Sequence, residues 1–261
     1  MDRTRRGLMA LTAAAALGGT RAKAQDRLTP FPLVELRQYR NRPGARDALI
    51  ELFEREFVES QEAVGMKVIG TFRQPAQPDH FVWLRGFADM ETRAKGLNAF
   101  YFGPVWQAHR EAANATIDDS DNVLLLREAR PGSGFRGDDT PRPAPGAAAA
   151  PHGPVVAVID YPKDEAAYAA AFAGWIRPQL AAAGAPVIAE FLREKAANNF
   201  PRLPVRENET VFVWFVKFRD RAAYDRVRAP LEAIRRGQAA LQLKPSDVLL
   251  LEPTARSQLH G

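Results

Sequence analysis

The sequence predicts an α+β fold: two βαββαβ units in the ferredoxin-like arrangement, packed sheet to sheet into one eight-stranded barrel within a single chain. Three observations lead there. Residues 80–93 (HFVWLRGFADMETR) run as a strand about Trp83, break at Ala88-Asp89 and continue as a helix. The pattern recurs from Phe212 (FVWFVKFRDRAAY), again with Phe-Val-Trp and again with an Asp at the helix N-cap. A unit repeated once implies two copies of one small fold. The closing strands match too, since residues 246–251 (SDVLLL) mirror residues 120–126 (SDNVLLL). Each unit leaves one sheet face uncovered by helices, and packing those faces together buries both.

In the first unit (33–130), residues 34–39 alternate with period two. Glu35, Arg37 and Tyr39 share one face; Val34, Leu36 and Gln38 share the other. Pro43 stands where a first helical residue is favoured, after the turn at Asn41-Arg42. Ala45, Ala48, Leu49, Leu52, Phe53 and Phe57 then give one apolar helical face. Gly65 ends that helix as a left-handed cap. Residues 66–73 form the second strand, Pro75 and Pro78 mark a loop, and 81–87 form the third strand. Asp89 caps the second helix, which Gly103-Pro104 interrupts before a further turn through Val105, Trp106, His109 and Ala112. The acidic turn 118–121 leads into a last strand at 123–127.

Residues 131–154 are rich in Pro, Gly and Ala, carry few large apolar side chains, and read as a linker. The second unit (155–253) repeats the order. Strand 155–161 leads to a helix capped by Asp164, ended by Gly184 and expected to kink at Pro178. Strand 187–192, a long Asn- and Pro-containing loop to 208, strand 211–218, a helix opened by Asp220 and strand 246–251 follow.

Glu35-Leu36-Arg37-Gln38-Tyr39 with Pro43-Gly44, Gly70-Thr71-Phe72, the strand at 81–87, Arg93 and residues 101–110 resemble the NIPSNAP family. The resemblance covers 33–129 well and 155–252 more loosely. It implies the dimeric α/β-barrel superfamily, whose members include small cofactor-independent monooxygenases, haem-modifying enzymes and domains with no known chemistry. It implies a fold more firmly than a reaction. On its third strand the family commonly places a His and then a Trp two residues apart; here those positions are Trp83 and Arg85. Imidazole-dependent activity is therefore not carried over.

The composition is that of an ordinary globular chain, 46% hydrophobic and 26% charged, with no cysteine. Thiolate nucleophiles, thiolate metal sites and disulfides are excluded. The formal charge of +5 is concentrated in residues 1–24, without which 31 basic residues face 30 acidic ones, a charge of +1. Such a balance gives no footprint for nucleic acid. Residues 1–24 read as a signal peptide: Arg5-Arg6 precede an Ala-rich run over 8–19, and Ala22-Lys23-Ala24 offers a cleavage site. The paired arginines resemble a twin-arginine export signal, with an ordinary secretory signal as the alternative. The run is too short to span a bilayer. The expected location is the periplasm or the exterior.

The candidate pocket residues are Glu35, Arg37, Tyr39, Trp83, Arg85, Tyr101, Trp106 and His109. Aligning the repeats sets Glu35, Arg37 and Tyr39 against Ala157, Ile159 and Tyr161, and Trp83 and Arg85 against Trp214 and Val216. If these faces line the barrel, the first unit supplies charge where the second supplies apolar wall, as ligand pockets require. The alternative is a solvated pair at strand ends. His109 would be a base or ligand, or simply an interhelical histidine. With four histidines in the chain, two of them in the linker and tail (His152, His260), a multi-His metal centre is not expected. Asp118, Asp119 and Asp121 lack the glycine and distal glutamate of a calcium loop. No phosphate loop or nucleophile elbow is present, and no metal or cofactor is expected. The leading expectation is a barrel that binds a small apolar or aromatic molecule or docks a partner, with room for further homo-oligomerisation. A cofactor-independent monooxygenase using the same cavity is the alternative, with Arg37 and Arg85 stabilising negative charge and Tyr39 orienting the substrate.

Overall fold

The computed structural model describes residues 30–136, 141–148, 150 and 152–261; the signal-peptide segment 1–24 lies outside the described residues. A short strand β1 (Pro30–Phe31) precedes β2 (Leu33–Asn41). The first helical layer is continuous from α1 (Arg46–Leu52) through a π-helical turn (Phe53–Phe57) into α2 (Val58–Glu62). Gly65, at φ 83°, adopts the left-handed conformation that lets the chain turn back into β3 (Lys67–Arg73) and β4 (His80–Phe87). Asp89 accepts from the backbone of Thr92, whose hydroxyl returns the bond, and this capping box opens α3 (Met90–Tyr101). Pro104 begins α4 (Pro104–Thr116), followed by β5 (Ile117–Asp119) and β6 (Val123–Glu128).

After β7 (Phe135–Arg136) the order repeats. Strand β8 (Val155–Asp160) leads to α5 (Glu165–Ala171), a second π-helical turn (Phe172–Ile176) and α6 (Arg177–Ala182). Strands β9 (Val187–Arg193) and β10 (Phe212–Lys217), helix α7 (Arg221–Gly237) and β11 (Asp247–Pro253) complete it. Asp164 and Asp220 cap their helices through backbone N–H groups of Ala167 and Ala223. A π-helical turn lies directly ahead of Pro178. The first layer widens at the corresponding place without a proline, so the proline is not the cause.

Eight antiparallel strands close a barrel in the order β4-β3-β11-β8-β10-β9-β6-β2, with β2 pairing back to β4 and β5 attached outside it. The first four-stranded sheet is ordered β6-β2-β4-β3 and the second β11-β8-β10-β9. Two short seams join them, β6 to β9 and β3 to β11. The barrel axis is packed by side chains from both sheets, among them Val34, Leu36, Phe72, Leu84, Ile159, Phe191, Phe215 and Leu251. Helices cover the outside of each sheet over separate apolar layers.

The segment read as a linker takes part in this packing. Phe135 on β7 is buried in the axial core, and Ser133 bonds the Glu190 backbone. Arg142 donates to Glu62 at 2.6 Å and to the Arg256 carbonyl.

Contrary to the expectation from sequence, the charged face of β2 is turned away from the barrel axis. Glu35, Arg37, Tyr39, Trp83 and Arg85 do not point into the barrel. Their β2 neighbours Val34 and Leu36 do, whereas Tyr39 and Trp83 pack in the layer beneath α1–α4. The repeat alignment also shifts by one residue on the first strand. Trp83 stands opposite Arg37 and Trp214 opposite Val158, so the counterparts of Glu35, Arg37 and Tyr39 are Val156, Val158 and Asp160.

Candidate functional site

The site is built on adjacent antiparallel strands. Register pairs Glu35 with Arg85 and Arg37 with Trp83, and alternation sends all four beneath the helices. Glu35 Oε2 accepts from Arg37 Nη1 at 2.9 Å and Arg85 Nη2 at 2.5 Å, and its Oε1 accepts from Arg93 Nε at 2.8 Å. All four charged side chains are fully buried. Arg93 arrives from the first turn of α3, on the same helical face as Leu97 and Phe100. Gln61 on α2 accepts from Arg85 Nη1 at 2.9 Å.

Burial alone would raise the Glu35 carboxyl; the guanidiniums of Arg85, Arg37 and Arg93 outweigh it and hold the group well below the usual carboxylate range. Burial acts downward on Arg37, but Tyr39 and Glu35 more than offset it and raise the guanidinium. Arg93 is lowered, because burial outweighs its contact with Glu35. Among the described residues Glu35 is the single carboxylate paired with these three guanidiniums, so the cluster holds two uncompensated positive charges.

In front of the charges lies an aromatic chamber of about 90 Å³. Tyr39 and Trp83 form its sheet wall, Phe53 and Phe57 from the π-helical turn its roof, and Tyr101, Trp106 and Leu203 are half-buried at its edge. A π-helical turn projects side chains that a regular helix would splay differently, and such turns recur at functional sites. The second half carries one too, so here the turn belongs to the fold as much as to the site. Arg37 and Arg85 stack against Trp83 at 5.5 and 5.0 Å from its ring, and Arg37 Nε donates to the Tyr39 hydroxyl at 3.0 Å. Burial pushes the Tyr39 hydroxyl up despite Arg37, so it keeps its proton. Buried donors in this region without a hydrogen-bond partner among the described residues include Arg37 Nη2, Arg85 Nε and Trp83 Nε1, and Arg93 Nη2 has only an ion contact, 2.7 Å from Glu35 Oε1.

The site is completed by the other half. The β9–β10 connection, residues 194–211, crosses to the first half, where Asn198 and Asn199 accept from Arg93 Nη1 at 3.1 and 2.6 Å. Phe200 stacks on Tyr101 with ring centroids 5.7 Å apart, and Leu203 joins the chamber wall.

Of the residues expected from sequence, Tyr39, Trp83, Tyr101 and Trp106 line the chamber and Glu35, Arg37 and Arg85 sit behind it. His109 does not join them; it faces the Phe57 ring and lies 3.5 Å from Glu56 on the outer side. Arg93, Gln61, Phe53, Phe57 and the 194–211 segment were not foreseen as site residues. An arginine in line with Leu97 and Phe100 on an apolar helical face was the available signal for the third cation.

The second half is built differently in the same layer. Val156, Val158 and Val216 replace Glu35, Arg37 and Arg85, and Asp160 stands where Tyr39 does. Asp160 accepts from Tyr168 at 2.6 Å, Trp214 at 2.7 Å, Ser246 at 2.5 Å and Gln242 at 3.2 Å. Burial pushes its carboxyl up against those bonds. A depression of about 610 Å³ lies at the end of α7 beside Arg235, Arg236 and Lys244, away from the buried cluster around Glu35. Among the described residues no three His, Asp or Glu side chains gather as a metal site, and no helix is long and apolar enough to cross a membrane.

Residues 34–129 match the NIPSNAP family. The NIPSNAP match thus spans the first-half residues of the chamber with Glu35, Arg37, Arg85 and Arg93, but not Leu203, Asn198 or Asn199 from the second half. No curated protein matches the chain. Among solved structures, a candidate monooxygenase from Lactobacillus acidophilus NCFM aligns with TM-score 0.53 and 14% identity, over 88% of this chain and 98% of that one. A candidate monooxygenase from Fusobacterium nucleatum aligns with TM-score 0.52 and 10% identity, over 86% and 93%. An anthrone oxidase-like protein aligns with TM-score 0.52 and 11% identity, over 90% and 96%. At these identities the likeness is one of fold: a mixed α/β chain closing an eight-stranded antiparallel barrel.

Proposed function

We propose that the protein binds a small, largely aromatic molecule in the chamber between the first sheet and its helices. The observation that carries this reading is the buried donor surplus behind an aromatic cavity. An interior normally satisfies its polar groups, and buried cations without partners cost several kcal/mol. The chain keeps such a cluster in one half, and apolar side chains occupy the matching positions of the other. A mostly apolar cavity with a few convergent polar groups is the usual form of a small-molecule site. At about 90 Å³ the chamber is smaller than the roughly 150 Å³ cavity that accepts benzene, so a ring enters by displacing Tyr101, Trp106 or Leu203. Native mass spectrometry of the purified protein should reveal a retained small molecule. Leu203→Trp, which fills the chamber, should abolish that adduct; an adduct that persists would move the site elsewhere.

The second reading is oxygen chemistry in the same chamber, favoured by the positive charge behind Trp83 and Tyr39. A bound substrate anion stabilised there would supply the electrons itself, a CH₂ group becoming C=O while the second oxygen atom of O₂ leaves as water. Chamber-dependent O₂ consumption in the presence of an electron-rich ring substrate supports it, and binding without O₂ consumption leaves the first reading alone. The fold shared with candidate monooxygenases is compatible with both.

We also propose that the two halves are tandem copies of one ferredoxin-like unit, which the matching strand orders support, and that residues 1–24 export the protein. Replacing Arg5 and Arg6 by lysine should retain the precursor in the cytoplasm; normal export of that variant would indicate the general secretory route.

A further inference from the structure

Resting on the chamber reading, we infer that the ligand is a small aromatic oxyanion, a ring bearing a carboxylate or an ionised phenol or enol. Three independent features of the site converge on this class. The first is charge: Arg37, Arg85 and Arg93 surround the lone carboxylate of Glu35, and none of the four is exposed. In a water-poor interior two unmatched cations create a field that a bound anion relieves, because attraction between charges grows as the dielectric falls. The second is donor geometry. Trp83 lines the chamber and is 2% exposed, and its indole N–H has no acceptor. An indole N–H and a guanidinium can only donate. The Tyr39 hydroxyl already accepts from Arg37 Nε, which leaves its own hydrogen to donate. Trp83 and Tyr39 thus present donors on the sheet wall, with the guanidiniums behind them and Gln61, Asn114 and Ser120 elsewhere in the lining, and the strongest bonds such donors make are to an ionised oxygen. The third is shape: Phe53, Phe57, Phe100, Tyr101 and Trp106 form much of the remaining wall, so the body of the ligand meets ring faces and edges.

The matching layer of the second half carries the opposite chemistry. Its buried carboxylates are matched: Asp160 is supplied with four donors and Glu190, opposite Trp214, pairs with Arg177, while Val158 and Val216 stand where Arg37 and Arg85 would be. The anion preference therefore belongs to one side of the barrel only.

The test compares isosteric probes on the full chain by titration calorimetry at neutral pH. Benzoate should bind at least about tenfold more tightly than benzamide, a difference of about 1.4 kcal/mol. Bound 4-nitrophenol, followed by absorbance, should ionise about one pH unit below the free compound, since nearby cations favour the charged form. Arg37→Met should bring the benzoate-to-benzamide ratio close to one. Trp83→Phe supplies a second variant that strands no partner, because the lost N–H bonds to nothing; it should lower the same ratio several-fold. Equal binding of benzoate and benzamide, or an unshifted 4-nitrophenol, would overturn the anion assignment while leaving the chamber as a site. Failure of every probe to bind, with no effect of Leu203→Trp on any of them, would overturn both.

Discussion

Replacing Glu35 by glutamine changes one charge and almost no volume. It leaves Arg37, Arg85 and Arg93 buried together without a carboxylate, where Glu35 had held them at 2.5–2.9 Å. Removing one partner from a buried ion pair costs about 3–5 kcal/mol, and with three guanidiniums losing one acceptor the upper end applies. For a chain of this length each kcal/mol moves the melting temperature by about 2–4 °C, so a fall of roughly 10–20 °C follows. Urea unfolding followed by circular dichroism measures it, as a lower midpoint at constant slope. Adding Arg93→Gln should recover stability rather than deepen the loss, because the two side chains are coupled. The pH dependence carries a sign. The Glu35 carboxyl titrates lower in the folded chain than in the unfolded one, so its stabilisation is complete above the unfolded value of about 4.3. It is lost as pH falls through the folded value. The wild-type stability slope below about pH 5 should therefore shrink in Glu35→Gln. A loss below about 1 kcal/mol, the size typical of an exposed pair, would refute the buried-cluster argument.

Three further outcomes are expected. Expressed separately, residues 25–130 and 155–261 should aggregate or pair, since each would expose an axial face far beyond the few hundred Å² that monomers tolerate; two well-behaved monomers would contradict the shared core. Asp160 should give the opposite acid response to Glu35. Burial raises its folded pKa, so its contribution is complete below the unfolded value of about 3.9 and declines as pH rises through the folded value. Asp160→Asn should flatten that decline in a melting series across pH. Phe200→Ala, which removes the ring stacked on Tyr101, should cost about 3–5 kcal/mol and increase acrylamide quenching of tryptophan fluorescence. Unchanged quenching would mean that the 194–211 segment does not close the chamber.

Much of the fold was legible because its signals are local. Asp89, Asp164 and Asp220 cap the helices they precede, and Gly65 and Gly184 turn the chain with φ of 83° and 86°. Which face of β2 looks along the barrel axis was not legible. Alternation reveals side when one face meets water, but eight of the nine β2 residues are buried, and only Arg40 is exposed. Charged residues were assigned to the axis on the assumption that a ligand would sit there; the axis is instead filled with Leu, Val and Phe. The grouping of Glu35, Arg37, Tyr39, Trp83 and Arg85 survived because strand pairing depends on register rather than on which way the sheet faces. Arg93 and the Asn198-Asn199 pair were missed as partners because their meeting spans more than a hundred residues of chain.

The barrel is closed by strands of one polypeptide, and this frees its two sides from each other. In a symmetric dimer a substitution appears twice, so a costly buried charge cluster must be tolerated on both sides or on neither. Here the chain keeps Arg37, Arg85 and Arg93 around Glu35 under one set of helices, and Val156, Val158 and Val216 fill the places of Glu35, Arg37 and Arg85 under the other. The valine side can act as ballast for stability while the arginine side carries strain. A ligand that answers to those arginines should accordingly saturate at one molecule per chain, leaving the valine side empty.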